Sequence, residues 1–279
     1  MATKLDDVEN EVFNSGSGVG FDPVQPEESE KCTELRDRVK DVMYDAFLEK
    51  YGGERYTYER FLAARNNNID KAEKMIKKAI EFRKQRNLDG EKSEEELEEL
   101  DRIFKECEPH WFLKFWGYSK EGNLLTYASV KNVVLKDLLE IPEDHIKRFY
   151  LMMLDKAFTM QNYANTPPRK SSENSKWNGS IDVINLKGIS MSHLHISGLR
   201  LLNRVLKIAQ LVAPEIMDKT YIIHAPWFFS AAWAIIKNVL APDIVAKVVI
   251  TSGSAEKEIL EHLGGDREQY EDLLNSFSS

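Results

Sequence analysis

The sequence predicts an α/β protein in which an all-helical N-terminal lobe precedes a core with a mainly parallel sheet and flanking helices. Two observations support this fold class. Up to residue 107 the apolar residues recur at helical spacing, whereas later β-favouring runs alternate with helical stretches. From residue 180 the order is strand, helix, strand, helix, strand, which predicts parallel pairing through right-handed crossovers.

Composition divides the chain, which at 279 residues is long enough for one large domain or two smaller ones. The first residues are polar and contain Gly, Ser and Pro, so we expect a flexible leader. The predicted parts are the leader (1–27), a helical lobe (28–107), a sheet domain (108–265) and a C-terminal helix or tail (266–279).

Four helices are predicted in the helical lobe. The first begins at Ser29 or Glu30 and ends at Gly52–Gly53. A short helix ends at Asn66–Asn68, and an amphipathic helix with a row of outward lysines begins at Asp70. An acidic helix closes the lobe.

The elements of the sheet domain follow from shorter signals. Two β-rich runs around Lys120–Gly122 predict a hairpin, and Pro142 lies near the start of a long helix that reaches about Tyr163. The stretches that predict the parallel strands are SIDVINL, KTYIIHA and AKVVITS.

The segment Trp227–Leu240 is apolar on nearly all sides. One predicted face presents Phe229, Trp233, Ile236 and Leu240, and the face beside it Phe228, Ala231, Ile235 and Val239. Only a narrow stripe of Ser230, Ala234 and Lys237 is left for water. Such a helix is either deeply buried or in contact with something other than water. It is shorter than the roughly 20 residues that span a bilayer.

Charge and cysteine content exclude some classes of protein. The net charge of −8 argues against nucleic acid as a partner, and the two cysteines, Cys32 and Cys107, give no disulfide framework. The N-terminus has no apolar signal region, and Ala2 is not a myristoylation site. We therefore expect a cytoplasmic protein.

No catalytic motif is present: there is no nucleophile elbow, phosphate-binding loop or dinucleotide fingerprint. A hydrolase would have to recruit Ser230, His224 and Asp182, and nothing in their spacing requires it. His193 and His195 would point about 200° apart on a helix, which favours capping or surface roles over a shared metal. The sequence predicts no enzyme, no cofactor and no metal site.

Three stretches, in the order expected, resemble CRAL-TRIO lipid-binding proteins, particularly the Sec-fourteen-like phosphatidylinositol and phosphatidylcholine transfer proteins. ERFLAARNNNIDKAEKMIKKAIEFRKQ resembles the helical lobe of that family, and IDVINLKGIS resembles the strand and turn of its lipid-binding core. Residues 213–250 resemble the part that contains its gating helix. The similarity extends from about Thr33 to Gly265.

The resemblance implies a lipid pocket between the sheet and a gate formed by Trp227–Leu240. One face of the gate would close the pocket while other apolar side chains meet the bilayer. The implied pocket and gate residues are Trp227, Phe228, Phe229, Trp233, Ile236, Leu240 and Phe115. A crossover helix simply buried under the lobe is the alternative that the pattern leaves open.

The resemblance also implies contacts to a lipid headgroup. Arg65, Glu215 and Lys247 match the family's inositol-phosphate site, whereas Asn66 and Ile216 stand where it has basic residues. Arg65 and Lys247 would hold a phosphate through charge-assisted hydrogen bonds, and Glu215 would accept from ring hydroxyls.

The family's choline site is matched only by Ser180. Asp182 replaces a threonine, and Phe115 and Thr126 replace tyrosines. If Asp182 faces the pocket, desolvation raises its pKa unless a cationic headgroup pairs with it. We therefore expect Asp182 to favour a lipid with an amine headgroup.

The sequence thus predicts a monomer that binds one phospholipid-like molecule and exchanges it by transient docking on membranes. Its location would be cytoplasmic and transiently peripheral on membranes. The alternative is a lipid sensor or scaffold that presents its ligand to a lipid kinase or GTPase pathway.

Overall fold

A six-stranded mixed sheet organises the residues that the computed structural model describes, which are 3–4, 29–131, 133–167, 170 and 176–275. The strands lie side by side in chain order: β1 (Thr3–Lys4), β2 (Leu113–Tyr118), β3 (Leu124–Ser129), β4 (Ser180–Asn185), β5 (Met217–Ile223) and β6 (Val248–Ile250). The first three strands pair antiparallel, and β3 to β6 pair parallel. The predicted α/β class is therefore confirmed.

The helices fall into two groups along the chain. Those that precede β2 are α1 (Glu30–Val39), α2 (Asp45–Lys50), α3 (Glu54–Ala63), α4 (Ile69–Gln85) and α5 (Glu94–Cys107). Those that follow β3 are α6 (Leu135–Glu140), α7 (Glu143–Ala164), α8 (Ile196–Val212), α9 (Phe229–Ile236), α10 (Pro242–Ala246), α11 (Glu256–His262) and α12 (Arg267–Asn275). Helices connect each pair of parallel strands, as parallel pairing requires.

The two faces of the sheet pack differently because successive side chains of a strand point to opposite faces. Val183 and Ile223 belong to a buried cluster that includes Leu273 of α12 and residues of α11. Ile184 and Ile222 point the other way and belong to a cluster with α8 and α9. The second face is the one that borders the candidate site.

The first predicted helix of the lobe is wrong in one respect, since the chain forms two helices there. Tyr44 is extended, with φ −150° and ψ 155°, and separates α1 from α2. Its hydroxyl donates to Asp89 at 2.6 Å, and its ring contacts that of Phe47 with centroids 5.7 Å apart. The interruption lets both helices pack on one core, which periodicity alone did not indicate.

A buried ion pair within the lobe was also missed. The side chain of Arg83 is 1% exposed, and its guanidinium donates to Asp89 at 2.6 and 2.8 Å. Burial by itself would raise the pKa of Asp89, but hydrogen bonds from Arg83 and Tyr44 outweigh it and hold the pKa below its ordinary value. The outward lysines of α4 are exposed, as predicted.

Both ends of the chain contribute to the sheet domain. Thr3–Lys4, placed by prediction in a flexible leader, pairs with β2, whereas residues 1–2 and 5–27 of that leader lie outside the described residues. At the other end, α12 packs under the sheet, and Trp116 of β2 donates to Asp272 at 3.1 Å. The four-part division of the chain stays a prediction.

Candidate functional site

An apolar cavity of about 480 Å³ lies between the sheet, α7, α8 and the segment that contains α9. Side chains of α7 such as Tyr150 and Leu154 line one side of it, and Leu199, Leu202 and Leu206 of α8 line another. These leucines recur at spacings of three and four because one face of the helix points inward. The volume lies within the range of about 300–1,000 Å³ typical of ligand sites.

The gate segment, residues 227–240, closes this cavity on one side. Its helix α9 is shorter than predicted and continues as a 3₁₀ turn at Lys237–Val239. The gate residues that line the cavity are Phe229, Ala232, Trp233, Ile236 and Leu240. Four of these five are the residues predicted to share one face.

The outer face of the gate segment is more exposed than the narrow stripe the sequence predicts. Trp227 is 87% exposed and Ile235 is 38% exposed, while Phe228 is half-buried. Trp227 and Phe228 do not line the cavity, although their rings contact each other. The segment therefore presents apolar surface both to the cavity and to the outside.

Asp182 forms a polar centre within the apolar cavity. The register of the sheet aligns it with Thr126 on one neighbouring strand and Thr220 on the other. Its carboxylate accepts from the Thr126 hydroxyl at 2.6 Å and from the Thr220 hydroxyl at 3.3 Å. Ser180 and Phe115 line the same cavity.

Burial raises the pKa of Asp182 above its ordinary value, and hydrogen bonds from Thr126, Ser180 and Thr220 offset only part of the rise. Among the described residues, no cationic side chain forms an ion pair with Asp182. Tyr150 is half-buried, and its pKa is raised by desolvation and further by the charge of Asp182. A ligand that brings a cation or an acceptor would therefore interact strongly here.

Arg65, Glu215 and Lys247 line the same cavity. Lys247 donates to the Glu215 carboxylate at 2.7 Å and to the Met217 carbonyl at 3.0 Å. Arg65 is half-buried, and its guanidinium donates to the Ala64 carbonyl at 2.6 Å. The two cations thus border the cavity, although one of them already has an anionic partner.

The two positions that depart from the family's basic residues differ in their surroundings. Ile216 lines the cavity, and its carbonyl accepts from Gln161 and Ser180. Asn66 does not line the cavity and has φ of 52°, in the left-handed region that asparagine tolerates better than most residues. A lysine at position 66 would be strained, so Ile216 is the better place to add a charge.

The structure does not bring the hydrolase candidates together. Ser230 is exposed and donates to the Trp227 carbonyl at 2.9 Å, whereas Asp182 is inside the cavity with its two threonines. His195 caps α8 by accepting from the Ser197 amide, which agrees with a capping role. Within the described ranges, no group of three or more His, Cys, Asp or Glu could hold a metal ion.

One cavity residue was missed by sequence reasoning although the sequence has a signal for it. Gln210 follows Leu199, Leu202 and Leu206 on the inward face of α8, so a polar residue interrupts an apolar stripe. Its amide bonds to the backbone at Val239 and Ala241.

The fold and the cavity define an α/β protein with an apolar cavity, and comparison with known proteins identifies its family. The CRAL/TRIO domain model matches residues 110–270, so the chain belongs to this family. The predicted resemblance is thereby confirmed.

Individual relatives are distant in sequence. The phosphatidylinositol/phosphatidylcholine transfer protein SFH7 of Arabidopsis thaliana is 24% identical over 76% of this chain, which spans only 37% of that relative. The Sec14 cytosolic factor of Schizosaccharomyces pombe is 27% identical over 75% of this chain and 71% of its own length. The crystal structure of Sfh5 covers 95% of this chain and 85% of its own with a TM-score of 0.57 and 16% identity, which shows the fold alone.

In the part of the chain that the structure describes, no helix is both long enough and apolar enough to cross a bilayer.

Proposed function

We propose that this protein binds one phospholipid-like molecule in its cavity and exchanges it with membranes. The apolar cavity of about 480 Å³ behind the gate segment is the observation that most supports this function. Two acyl chains hold roughly 30 methylenes, so their exposure to water costs on the order of 20 kcal/mol at about 0.8 kcal/mol each. A carrier must therefore enclose the chains while it is in solution.

The name of one relative supports the same proposal, since SFH7 is a phosphatidylinositol/phosphatidylcholine transfer protein. The gate segment would close the cavity in solution with Phe229, Trp233 and Ile236. Its outer residues, above all Trp227, would contact the bilayer when the gate opens.

We further propose that Arg65 and Lys247 contact the phosphate of the ligand and that Glu215 accepts from headgroup hydroxyls. For this, Lys247 would share its ammonium between the phosphate and Glu215. Replacing Ile216 with arginine adds a cation to the cavity lining and should strengthen phosphatidylinositol uptake. Unchanged uptake by Ile216→Arg would count against this location of the headgroup.

Asp182 is proposed to favour a lipid with an amine headgroup. A carboxylate buried without a cation is costly, and an ammonium group would pair with it while Ser180, Thr126 and Thr220 hold its orientation. Asp182→Thr removes the charge and replaces the carboxylate with a hydroxyl, which can still accept a hydrogen bond. Transfer of ethanolamine and choline lipids by this variant should differ from wild type in selectivity, and identical selectivity would remove the proposal.

The experiment that tests the function itself needs no assumption about the lipid. Protein purified from cells is extracted with organic solvent and analysed by mass spectrometry, and pyrene-labelled phospholipid is then followed between donor and acceptor vesicles. We expect one lipid per chain and transfer that needs no other protein. Binding without transfer would favour the alternative, a lipid-presenting scaffold for a kinase or GTPase pathway. If the protein neither binds nor transfers lipid, both functions are contradicted.

A further inference from the structure

Gln210 joins α8 to the chain that follows the gate helix. Its Nε2 donates to the Val239 carbonyl at 2.6 Å, and its Oε1 accepts from the Ala241 backbone N–H at 3.1 Å. A single side-chain amide thus uses its donor and its acceptor on two backbone groups of the same short segment. These two hydrogen bonds resemble those that the backbone of a neighbouring β-strand would form with the segment.

The segment held by Gln210 is the C-terminal end of the gate. After the turn at Lys237–Val239, Leu240 is extended with φ −90° and ψ 145°, and α10 begins at Pro242. The last carbonyls of a helix have no partner within it, so they depend on other groups. Gln210 supplies such a partner to Val239 and also fixes the extended residues beyond it.

The N-terminal end of the gate is fixed in a different way. The backbone N–H groups of His224 and Ala225 donate to the carbonyls of Gly253 and Thr251 at 2.9 and 3.0 Å. These bonds join main chain to main chain and follow directly from the pairing of β5 and β6. The two ends of the gate therefore differ, because Gln210 holds one end and the sheet holds the other.

The helix that bears Gln210 is itself fixed by the helical lobe. Just beyond Gln210, the Tyr51 hydroxyl donates to the Val212 carbonyl at 2.6 Å, and Nε of the buried Arg60 donates to the Pro214 carbonyl at 3.0 Å. The end of α8 is thus a rigid base for the Gln210 amide.

We propose that Gln210 is the latch of the gate, a positioning residue that sets how often the C-terminal end of the gate leaves the cavity. When both of its hydrogen bonds break, residues 237–241 are released, and the gate swings outward about its N-terminal end, which the sheet retains. Leu240 and Ile236 then leave the cavity wall, and the lipid can pass. This exchange step rests on the proposed function, whereas the latch itself is a property of the chain.

The primary test is amide hydrogen exchange measured by mass spectrometry on ligand-free protein. Gln210→Met preserves side-chain length and removes both hydrogen bonds, and each such bond contributes modestly to the closed state. We expect exchange in residues 229–241 to become faster by about tenfold or more, while exchange in α7 changes by less than about twofold. If amide hydrogen exchange in the gate stays at the wild-type rate, or if it accelerates equally throughout the chain, the proposal that Gln210 is a latch is wrong.

Two further variants separate a latch from general loosening. Gln161→Met is the matched control, because Gln161 donates to the Ile216 carbonyl at 2.7 Å away from the gate. Because Gln161 lies in α7, the readout for this control is the gate alone, and hydrogen exchange in residues 229–241 should stay at the wild-type rate. Ala241→Pro removes the backbone N–H that donates to Gln210 Oε1, so it breaks one of the two hydrogen bonds from the side of the gate. The φ of −67° at Ala241 suits proline.

In a double-mutant cycle, Gln210→Met and Ala241→Pro should be less than additive in gate exchange, because both remove the same bond. Full additivity would contradict the pairing.

Transfer of pyrene-labelled phosphatidylcholine by Gln210→Met should also accelerate. If gate exchange rises and transfer does not, the latch does not control lipid passage, and that part of the inference is wrong. If wild-type protein transfers no lipid, the proposed function fails while hydrogen exchange still decides the latch.

Discussion

The two tryptophans of the gate segment give the sharpest prediction, because the structure shows that they face different surroundings, which the sequence did not reveal. Trp227 is 87% exposed and outside the cavity, whereas Trp233 lines the cavity. If the outer face of the gate contacts membranes, Trp227→Ala should weaken vesicle binding and leave stability nearly unchanged. Trp233→Ala should lower stability and leave vesicle binding nearly unchanged.

The magnitude for Trp227 follows from its surface. A tryptophan buries roughly 200 Å², and at about 25 cal/mol per Å² its full transfer from water is worth about 5 kcal/mol. A side chain at the membrane interface buries about half of that area, so its loss costs about 2.5 kcal/mol, or about 70-fold in partitioning. Trp233→Ala is expected to lower the free energy of unfolding by about 3 kcal/mol.

The assay is co-sedimentation with phosphatidylcholine vesicles, with urea unfolding of the same preparations. Leu97→Ala is the matched control, since Leu97 is 55% exposed but belongs to α5 of the lobe. We expect it to bind vesicles as wild type does. If Trp227→Ala binds as well as wild type, or if Leu97→Ala weakens binding equally, the gate is not the membrane-contacting surface.

Three further predictions concern charges and packing. Asp89→Asn should cost about 2 kcal/mol of unfolding free energy at pH 7, because it removes the charged partner closest to the buried Arg83 and leaves Asp155, at 3.3 Å, to face the guanidinium. Since the folded pKa of Asp89 is lowered, its contribution is full above the unfolded pKa of about 3.9 and is lost as pH falls through the folded value. The difference between variant and wild type in urea unfolding should therefore shrink in acid, and a constant difference would contradict this assignment. Asp182→Asn should stabilise ligand-free protein at pH 7, because the raised pKa of Asp182 makes its ionisation unfavourable to folding above that pKa. This gain should vanish as pH falls and Asp182 becomes protonated, and a loss of stability at pH 7 would count against it. Ala232→Trp should fill the cavity from the gate side and reduce the lipid extracted per chain, whereas Ala231→Trp, at the exposed neighbouring position, should not.

Much of the fold could be predicted because its signals are local. The strand at Ser180–Asn185 and the helix at Glu143–Ala164 follow from alternation and periodicity within a few residues. The interruption at Tyr44 could not be predicted in this way, because the side chain that accepts from the Tyr44 hydroxyl, Asp89, is 45 residues away. Arg83 was not predicted to be buried because Asp89, although only six residues along the chain, lies beyond the end of α4, and its second partner, Asp155, is 72 residues away.

The sequence alone determined that this helix is apolar on nearly all sides, because its composition leaves only a narrow polar stripe, and that it is therefore either deeply buried or in contact with something other than water. Tertiary structure decided which side faces inward. Trp233 lines the cavity and Trp227 does not, because β5 and the bonds at its end set the rotation of the following helix. It also decided that Asp182 lies between Thr126 and Thr220, since only strand register brings residues from three strands together.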